Sequence, residues 1–397
     1  MSPETRGVSI LGATGSIGST TLEVVDRYPD RFRVVALAAG RASDRLYALC
    51  ERYRPELVAL GREAEAEKFE RTHGRRLSGI EVAGGPGGLE RAATAPDAGF
   101  VISGIVGAAG LRPTLAALHA GKVVGLANKE SLVAAGAVMA RAAAASGARL
   151  IPVDSEHAAI HQCLADRRDP VRRIWLTASG GPFRTASAAE IAAATPQLAL
   201  RHPTWRMGPK ITIDSATMMN KGLEMIEARW LFDQPPEAIR VVVHPESIVH
   251  SMVEFEDGSI LAQLGVTHMR TPVQYALTWP ERLPTGLAPL PLDRPLDLRF
   301  EPPDPDRFPC LRLAGEALAA GGDAPAVLNA ANEVAVAAFL DGRIPFPGIP
   351  SVVGDTLAAH SPAEPEDLEG VARADAWARS YADELVEDLA PATARSP

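Results

Sequence analysis

Cysteine is scarce in this 397-residue chain: there are three, Cys50, Cys163 and Cys310. They are odd in number and far apart, which excludes a disulfide framework and a zinc motif, and a reducing cytoplasm is the simplest reading. No apolar run reaches the about 18 residues that a membrane span needs. The chain begins without a basic, apolar, small-residue leader and goes almost directly into a structured motif, so a secretory leader is not expected. Positive charge is also short. Lys and Arg total 40 against 49 Asp and Glu, a formal net charge of −9, which disfavours a nucleic-acid surface. Lysine is scarcest of all, with five against thirty-five arginines. Two of the five, Lys129 and Lys221, fall inside polar motifs, which is a sign that a compact ammonium is wanted there.

The chain is long enough for two or three domains. Its hydrophobic content of 46% is ordinary for a globular protein. Val8–Leu11 reads as a strand that runs into Gly12-Ala13-Thr14-Gly15-Ser16-Ile17-Gly18 and a helix to about Arg27. Strand, glycine-rich turn and helix form the dinucleotide-binding arrangement, although the spacing is GxxGxxG rather than GxGxxG and an unliganded turn is the competing reading. A second strand, Arg33–Ala39, ends in Gly40-Arg41-Ala42-Ser43 with no acid. An acid there would suit NAD, whereas Arg41 suits the extra phosphate of NADP; otherwise Arg41 is solvated before a helix capped by Ser43. Strand and helix keep alternating as far as Lys122–Leu126, which ends in Ala127-Asn128-Lys129-Glu130-Ser131. This pattern predicts a mostly parallel sheet covered on both faces, with these polar residues on its ligand-binding edge. For Lys129 and Glu130 a simple ion pair or helix-start role remains open.

The strand near Arg149–Val153 delivers Asp154-Ser155-Glu156-His157. On extended chain Asp154 and Glu156 point the same way, and two such acids suit a hard divalent cation between them; alternatively they open a helix. Val171–Ala178 is a strand opening into Ser179-Gly180-Gly181-Pro182-Phe183, a phosphate seat or a plain turn. Ser187 and Glu190 form a capping box. The irregular stretch around His202, Trp205, Met207 and Gly208 is a lid or a packed-down loop. A helix starting near Ser215 and running to Trp230 puts Asn220, Lys221 and Glu224 on one face. Met218, Met219, Leu223 and Ile226 suggest that this helix is largely covered, so its charged groups are paired or ligand-bound. Strands 241–243, 248–254 and 259–264, with a turn at Glu256–Ser259, make this part antiparallel. His244 and His250 read as core histidines. A proline-rich linker follows, then four helices in which Asn329, Asn332 and Glu333 read as interior polar groups with no assigned chemistry.

Six motifs in order, GATGSIG (12–18), LANKES (126–131), PVDSEH (152–157), SGGPF (179–183), HPTWRMG (202–208) and DSATMMNKGLE (214–224), resemble the 1-deoxy-D-xylulose 5-phosphate reductoisomerase family of the non-mevalonate isoprenoid pathway. The resemblance implies an α/β protein in three parts: an N-terminal Rossmann-like NADPH domain (1–153), a central α+β catalytic and dimerisation domain (154–283), and, after a linker (284–310), a C-terminal helical domain (311–397). It implies Asp154, Glu156 and Glu224 as ligands of Mg²⁺, Mn²⁺ or Co²⁺. Substrate would meet Lys129, Ser155, Glu156, Ser179, His202, Ser215, Asn220, Lys221 and Glu224, with Ser179, Ser215, Asn220 and Lys221 on its phosphate. NADPH would meet Thr14, Gly15, Ser16, Ile17, Gly40, Arg41, Ala42, Asn128, Glu130 and Gly208. Trp205 and Met207 resemble the lid residues. Lys129, His202 and the three acids would carry the chemistry: a phosphorylated ketose rearranges to a branched aldehyde, which NADPH reduces to 2-C-methyl-D-erythritol 4-phosphate. A cytoplasmic homodimer is implied. Arg41-Ala42 stands where the family has Lys-Asn, and Ala178 where it has glycine, which tolerates more backbone conformations. Two other readings are a metal-independent NADP-dependent dehydrogenase of a small phosphorylated substrate, with the acids as helix caps, and a non-catalytic NADP-sensing module.

Overall fold

A computed structural model describes residues 5–164, 169–205 and 207–389. The first part of the chain alternates strand and helix: β1 (Arg6–Leu11), α1 (Ser16–Arg27), β2 (Phe32–Ala39), α2 (Asp44–Tyr53), β3 (Leu57–Leu60), α3 (Glu63–His73), β4 (Glu81–Gly84), α4 (Gly85–Ala93), β5 (Phe100–Ser103), α5 (Leu111–His119), β6 (Val123–Leu126), α6 (Lys129–Ser146), β7 (Arg149–Pro152) and α7 (Ser155–Leu164). The strands pair in parallel in the order β4-β3-β2-β1-β5-β6-β7. Val8–Leu11 and Leu57–Leu60 are buried on both faces, as a sheet covered by helices on each side requires. The order reverses beside β1, so the carboxyl ends of β1, β2 and β5 bound the crevice where such sheets bind ligands. Gly12 (φ 88°) takes the positive φ of the turn, and a Cβ on Gly18 would lie 2.5 Å from Gly12 O. Close packing of turn on helix therefore needs glycine at both positions.

The second part comprises β8 (Val171–Ala178), α8 (Ala188–Ala192), α9 (Pro196–Ala199), α10 (Pro209–Ala216), α11 (Met219–Phe232), β9 (Ile239–Val243), β10 (Val249–Phe255), β11 (Ile260–Leu264), α12 (Arg270–Thr278) and the helices α13 (Pro309–Ala320), α14 (Ala324–Leu340), α15 (Gly348–Ala359) and α16 (Leu368–Leu389). The hairpin β10–β11 is antiparallel as expected, but β9 lies parallel to β8 at the other edge of the order β11-β10-β8-β9. The long helical crossover between β8 and β9 makes that possible, where a short turn could not. The capping box at Ser187 and Glu190 is present. His244 is buried, with Nδ1 on Arg299 O (2.8 Å) and Nε2 accepting from Val249 N (3.1 Å).

Two local expectations are corrected. The helix expected from Ser215 to Trp230 is broken at Met218, which sits in the left-handed region at φ 63°. The Thr217 hydroxyl donates to Ile213 O (3.1 Å) and accepts from Met219 N (3.3 Å), so a side chain replaces the helical ladder there. Residues 154–156 are not extended. Asp154 Oδ1 accepts from Glu156 N at 3.2 Å, and its carbonyl accepts from Ala158 N at 2.8 Å, opening α7.

Packing groups the chain into two units. One is 1–131, 139–158 and 268–287; the other is 132–138, 159–267 and 288–397. Segment 268–287, with α12, which no sequence signal had marked, belongs to the parallel-sheet unit through Val273, Tyr275, Ala276 and Leu277. In the other unit the C-terminal helices share one core with α10 and α11, including Met219, Leu223, Cys310, Ala314, Leu328 and Val336. Among the described residues, no helix is long and apolar enough to cross a membrane.

Candidate active site

The parallel-sheet unit carries all the residues expected to meet the nucleotide except Gly208. Gly15 is the N-cap of α1, no side chain caps that helix, and its first turn holds no acid. Free amides at a positive helix end suit a pyrophosphate. Thr14, Gly15, Ser16 and Ile17 lie on this turn, with Gly15 and Ser16 exposed. Gly40 and Arg41 are exposed just past β2. The Ala42 amide donates to Glu65 Oε2 at 2.7 Å, a carboxylate from α3 that no reading of β2 could bring here. Asn128 is buried and caps α6: its Oδ1 accepts from Ser131 N (2.7 Å), and its Nδ2 donates to Ile105 O and to Gly107 O (3.0 Å). Its side chain staples the loop after β5 to the helix start. Glu130 follows in the first turn of α6, also buried.

The same unit holds two of the three acids and the first of the motif lysines. Lys129 is 6% exposed, and its Nζ lies 2.8 Å from Asp154 Oδ2. Both the ion pair and the helix-opening acid weighed from sequence are therefore present. Ser155 Oγ donates to Glu156 Oε2 at 2.6 Å. His157, given no role from sequence, is fully buried with Nδ1 3.4 Å from Asp154 Oδ1. The i,i+3 spacing was its only signal.

The second unit gathers the remaining acid, the second lysine and the loop read as a lid. In the first turn of α11, Asn220 Nδ2 donates to Glu224 Oε1 at 2.6 Å, and the Lys221 ammonium donates to Glu224 Oε2. Lys221 and Glu224 are 3% and 1% exposed, so the expected shared face exists and is covered. Ser215 ends α10. Ser179 opens the loop after β8, where Gly180 (φ 83°) and Gly181 (φ 67°) make the turn. Ala178 remains in the strand, paired with Val243, so alanine there does not strain the loop. Trp205 and Met207 are half-buried, Arg206 lies outside the described residues, and Gly208 is the N-cap of α10.

His202 ties loop to lid. Its Nδ1 accepts from the amides of Thr204 (3.1 Å) and Trp205 (2.9 Å), and its Nε2 lies 3.2 Å from Ser179 Oγ. With Nδ1 accepting, the neutral ring carries its proton on Nε2 and donates it to Ser179. Burial holds its pKa below the ordinary 6.5. The unfolded chain thus binds more protons than the folded one below that value, and stability falls as pH drops through it. Protonation also removes the acceptor for both lid amides. On acidification from about pH 7 to about pH 5.5, wild type should lose more thermal stability than His202→Gln, which calorimetry across pH will measure.

The chain matches family profiles over most of its length. Residues 8–136 match a profile described as 1-deoxy-D-xylulose 5-phosphate reductoisomerase. Residues 150–232 and 264–381 match two profiles for C-terminal domains of the same enzyme. A 1-deoxy-D-xylulose 5-phosphate reductoisomerase from Ralstonia nicotianae is 54% identical over 383 residues, covering 96% of this chain and 98% of its own. One from Methylococcus capsulatus is 52% identical, over 97% and 99%. The solved Zymomonas mobilis enzyme in complex with NADPH is 48% identical with a TM-score of 0.91, over 97% of this chain and 100% of that one. A DOX-P reductoisomerase solved with NADPH, fosmidomycin and magnesium is 40% identical, also at 0.91, over 96% and 98%. With motifs, fold and relatives in agreement over almost the whole length, the chain belongs to the 1-deoxy-D-xylulose 5-phosphate reductoisomerase family.

Proposed function

We propose that this protein converts 1-deoxy-D-xylulose 5-phosphate to 2-C-methyl-D-erythritol 4-phosphate by isomerisation and NADPH-dependent reduction, with a divalent cation. The observation that carries this reading is the distribution of buried charge. Of the three acids read as metal ligands, two lie largely covered against the motif lysines, Asp154 with Lys129 and Glu224 with Lys221. Buried charge of this kind is held in place for use more often than for stability.

Asp154, Glu156 and Glu224 would hold the cation, since carboxylate oxygens are the donors that Mg²⁺ and Mn²⁺ prefer. The cation supplies Lewis-acid polarisation of the substrate oxygens, and NADPH supplies hydride. Ser155 and Glu156 meet the substrate's hydroxyl groups. Lys129 places an ammonium beside the negative charge that develops during rearrangement. Ser179, Ser215, Asn220 and Lys221 hold the phosphate, and the positive N-terminal end of α11, whose first turn holds no acid, favours its charge. Binding there is remote from the reacting carbons and can be used for orientation. Trp205 and Met207, on the loop tied by His202, exclude water on closing. Thr14, Gly15, Ser16, Ile17, Gly40, Arg41, Ala42, Asn128, Glu130 and Gly208 form the NADPH surface, with Arg41 toward the 2′-phosphate.

The protein acts as a homodimer joined through its mixed sheet. Edge strand β11 leaves Ile260 and Leu264 exposed at 52% and 40%, an apolar edge of the kind that monomers avoid and dimers cover. It works in the cytoplasm, in keeping with three free, buried cysteines.

Absorbance at the nicotinamide band, with 1-deoxy-D-xylulose 5-phosphate as substrate, tests the assignment. Oxidation that stops on adding EDTA and returns with Mg²⁺ is the expected result. Oxidation indifferent to EDTA would instead support a metal-independent dehydrogenase, and none at all a cofactor-sensing module.

A further inference from the structure

Asn332 sits in the middle of α14, fully buried, and no motif assigns it a task. Its surroundings are apolar: Leu328, Ala331, Ala335 and Val336 line the same stretch of core. Among the described residues its Oδ1 has no hydrogen-bond partner, and burying an amide in apolar packing costs free energy. An interior amide that costs packing energy needs a use for its donor. That use is Asp214: Asn332 Nδ2 donates to Asp214 Oδ1 at 2.8 Å across 118 residues of sequence. Asp214 is 1% exposed, and its Oδ2 pairs with Lys210 Nζ at 2.7 Å.

Asp214 immediately precedes Ser215, where α10 ends. A Cβ on Gly181 would lie 2.5 Å from Ser215 O, so the Ser179–Phe183 loop rests directly on this turn. Two residues on, the Thr217 hydroxyl holds the joint to α11. Nearby, Gly222 packs so tightly on α13 that a Cβ there would meet Ala314 Cβ at 2.3 Å. The C-terminal helices thus grip the α10–α11 elbow at Asp214 through α14 and at Gly222 through α13. Ser215, Asn220 and Lys221 all hang from that elbow.

We infer that Asn332 is a positioning residue for the phosphate seat. Acting through Asp214, it fixes the end of α10 so that Ser215 meets the phosphate together with the Ser179 loop. The inference rests on the reading of Ser215 as a phosphate contact, and it gives the C-terminal helical region a task in substrate binding.

Asn332→Leu tests it, because leucine keeps the volume, suits the apolar surroundings and removes only the hydrogen bond. The Michaelis constant for 1-deoxy-D-xylulose 5-phosphate should rise about tenfold, and inhibition by inorganic phosphate should weaken to match. The turnover number and the constant for NADPH should stay within about threefold, and the melting temperature should fall only modestly, since Asp214 Oδ1 loses one donor while Oδ2 keeps Lys210. That split is one that a merely structural role would not produce. Unchanged substrate and phosphate constants, or a uniform loss that follows a fall in melting temperature, would overturn the inference. If Asn332→Leu does not fold, Asn332→Ser carries the same expectations for the substrate and phosphate constants. Ser215→Ala, run alongside, separates the two readings. A raised substrate constant in Ser215→Ala but not in Asn332→Leu removes the positioning role alone. No response to Ser215→Ala removes the phosphate seat itself, and this inference with it.

Discussion

Glu224→Gln should lower the turnover number on the order of a thousandfold, equivalent to about 4 kcal/mol of transition-state stabilisation, while leaving NADPH binding intact. Glutamine keeps the shape and still accepts a hydrogen bond where Asn220 Nδ2 now donates at 2.6 Å. It lacks the negative charge, which serves two purposes here. One, on the proposed reading, is to hold the cation, for which an amide oxygen is a poorer donor. The other is to neutralise Lys221, whose side chain is 4% exposed. An ammonium left buried without its counter-charge typically costs about 3–5 kcal/mol. The variant should therefore melt at lower temperature as well as turn over slowly. Steady-state kinetics, fluorescence titration with NADPH and a melting curve measure the three effects together. Near wild-type turnover would remove Glu224 from the metal site.

Lys129→Met should move two quantities in opposite directions. Turnover should fall on the order of a hundredfold to a thousandfold, because the ammonium no longer faces the charge that develops in the substrate. Affinity for Mg²⁺ should rise about tenfold, because the cation no longer competes with an ammonium for Asp154 and no longer meets its repulsion. On the proposed reading the competition acts at the 2.8 Å contact between Lys129 Nζ and Asp154 Oδ2, both side chains being largely covered. Without Mg²⁺ the variant should melt earlier than wild type, since Asp154 loses the ammonium that lies 2.8 Å from its Oδ2. Saturating Mg²⁺ should recover most of that difference. Titration calorimetry decides the point: weaker Mg²⁺ binding by the variant would mean that Lys129 supports the acids as a structural partner and does not compete for them.

Much of this molecule was legible in its sequence because the relevant physics is local. The alternation of apolar strands with helices marked the parallel sheet. Gly12, Gly15 and Gly18 marked the turn, since only glycine allows that backbone to pack so closely. Asn220, Lys221 and Glu224 were expected on one helical face, and they share hydrogen bonds there. The break at Met218 was missed because it depends on a threonine hydroxyl choosing backbone over solvent. For Asp154 and Glu156 the sequence left extended chain and a helix start both open, because a short apolar strand followed by acids fits either; the helix start is what the structure has. The parallel pairing of β9 with β8 was hidden by the length of the crossover between them.

By itself, the sequence determined the classes of chemistry: hard oxygen donors, two lysines in an arginine-rich chain, a glycine turn for a dinucleotide, and the order in which they occur. Spacing and residue type suffice for these, because they act within a turn or two of helix or strand. Only the tertiary structure decided the partners across long separations. It set Lys129 on Asp154, Glu65 on the amide of Ala42, and Asn332 on Asp214, and it returned segment 268–287 to the parallel-sheet unit. Such pairings are settled by which buried polar groups can satisfy one another once the cores have closed, and no local pattern encodes that.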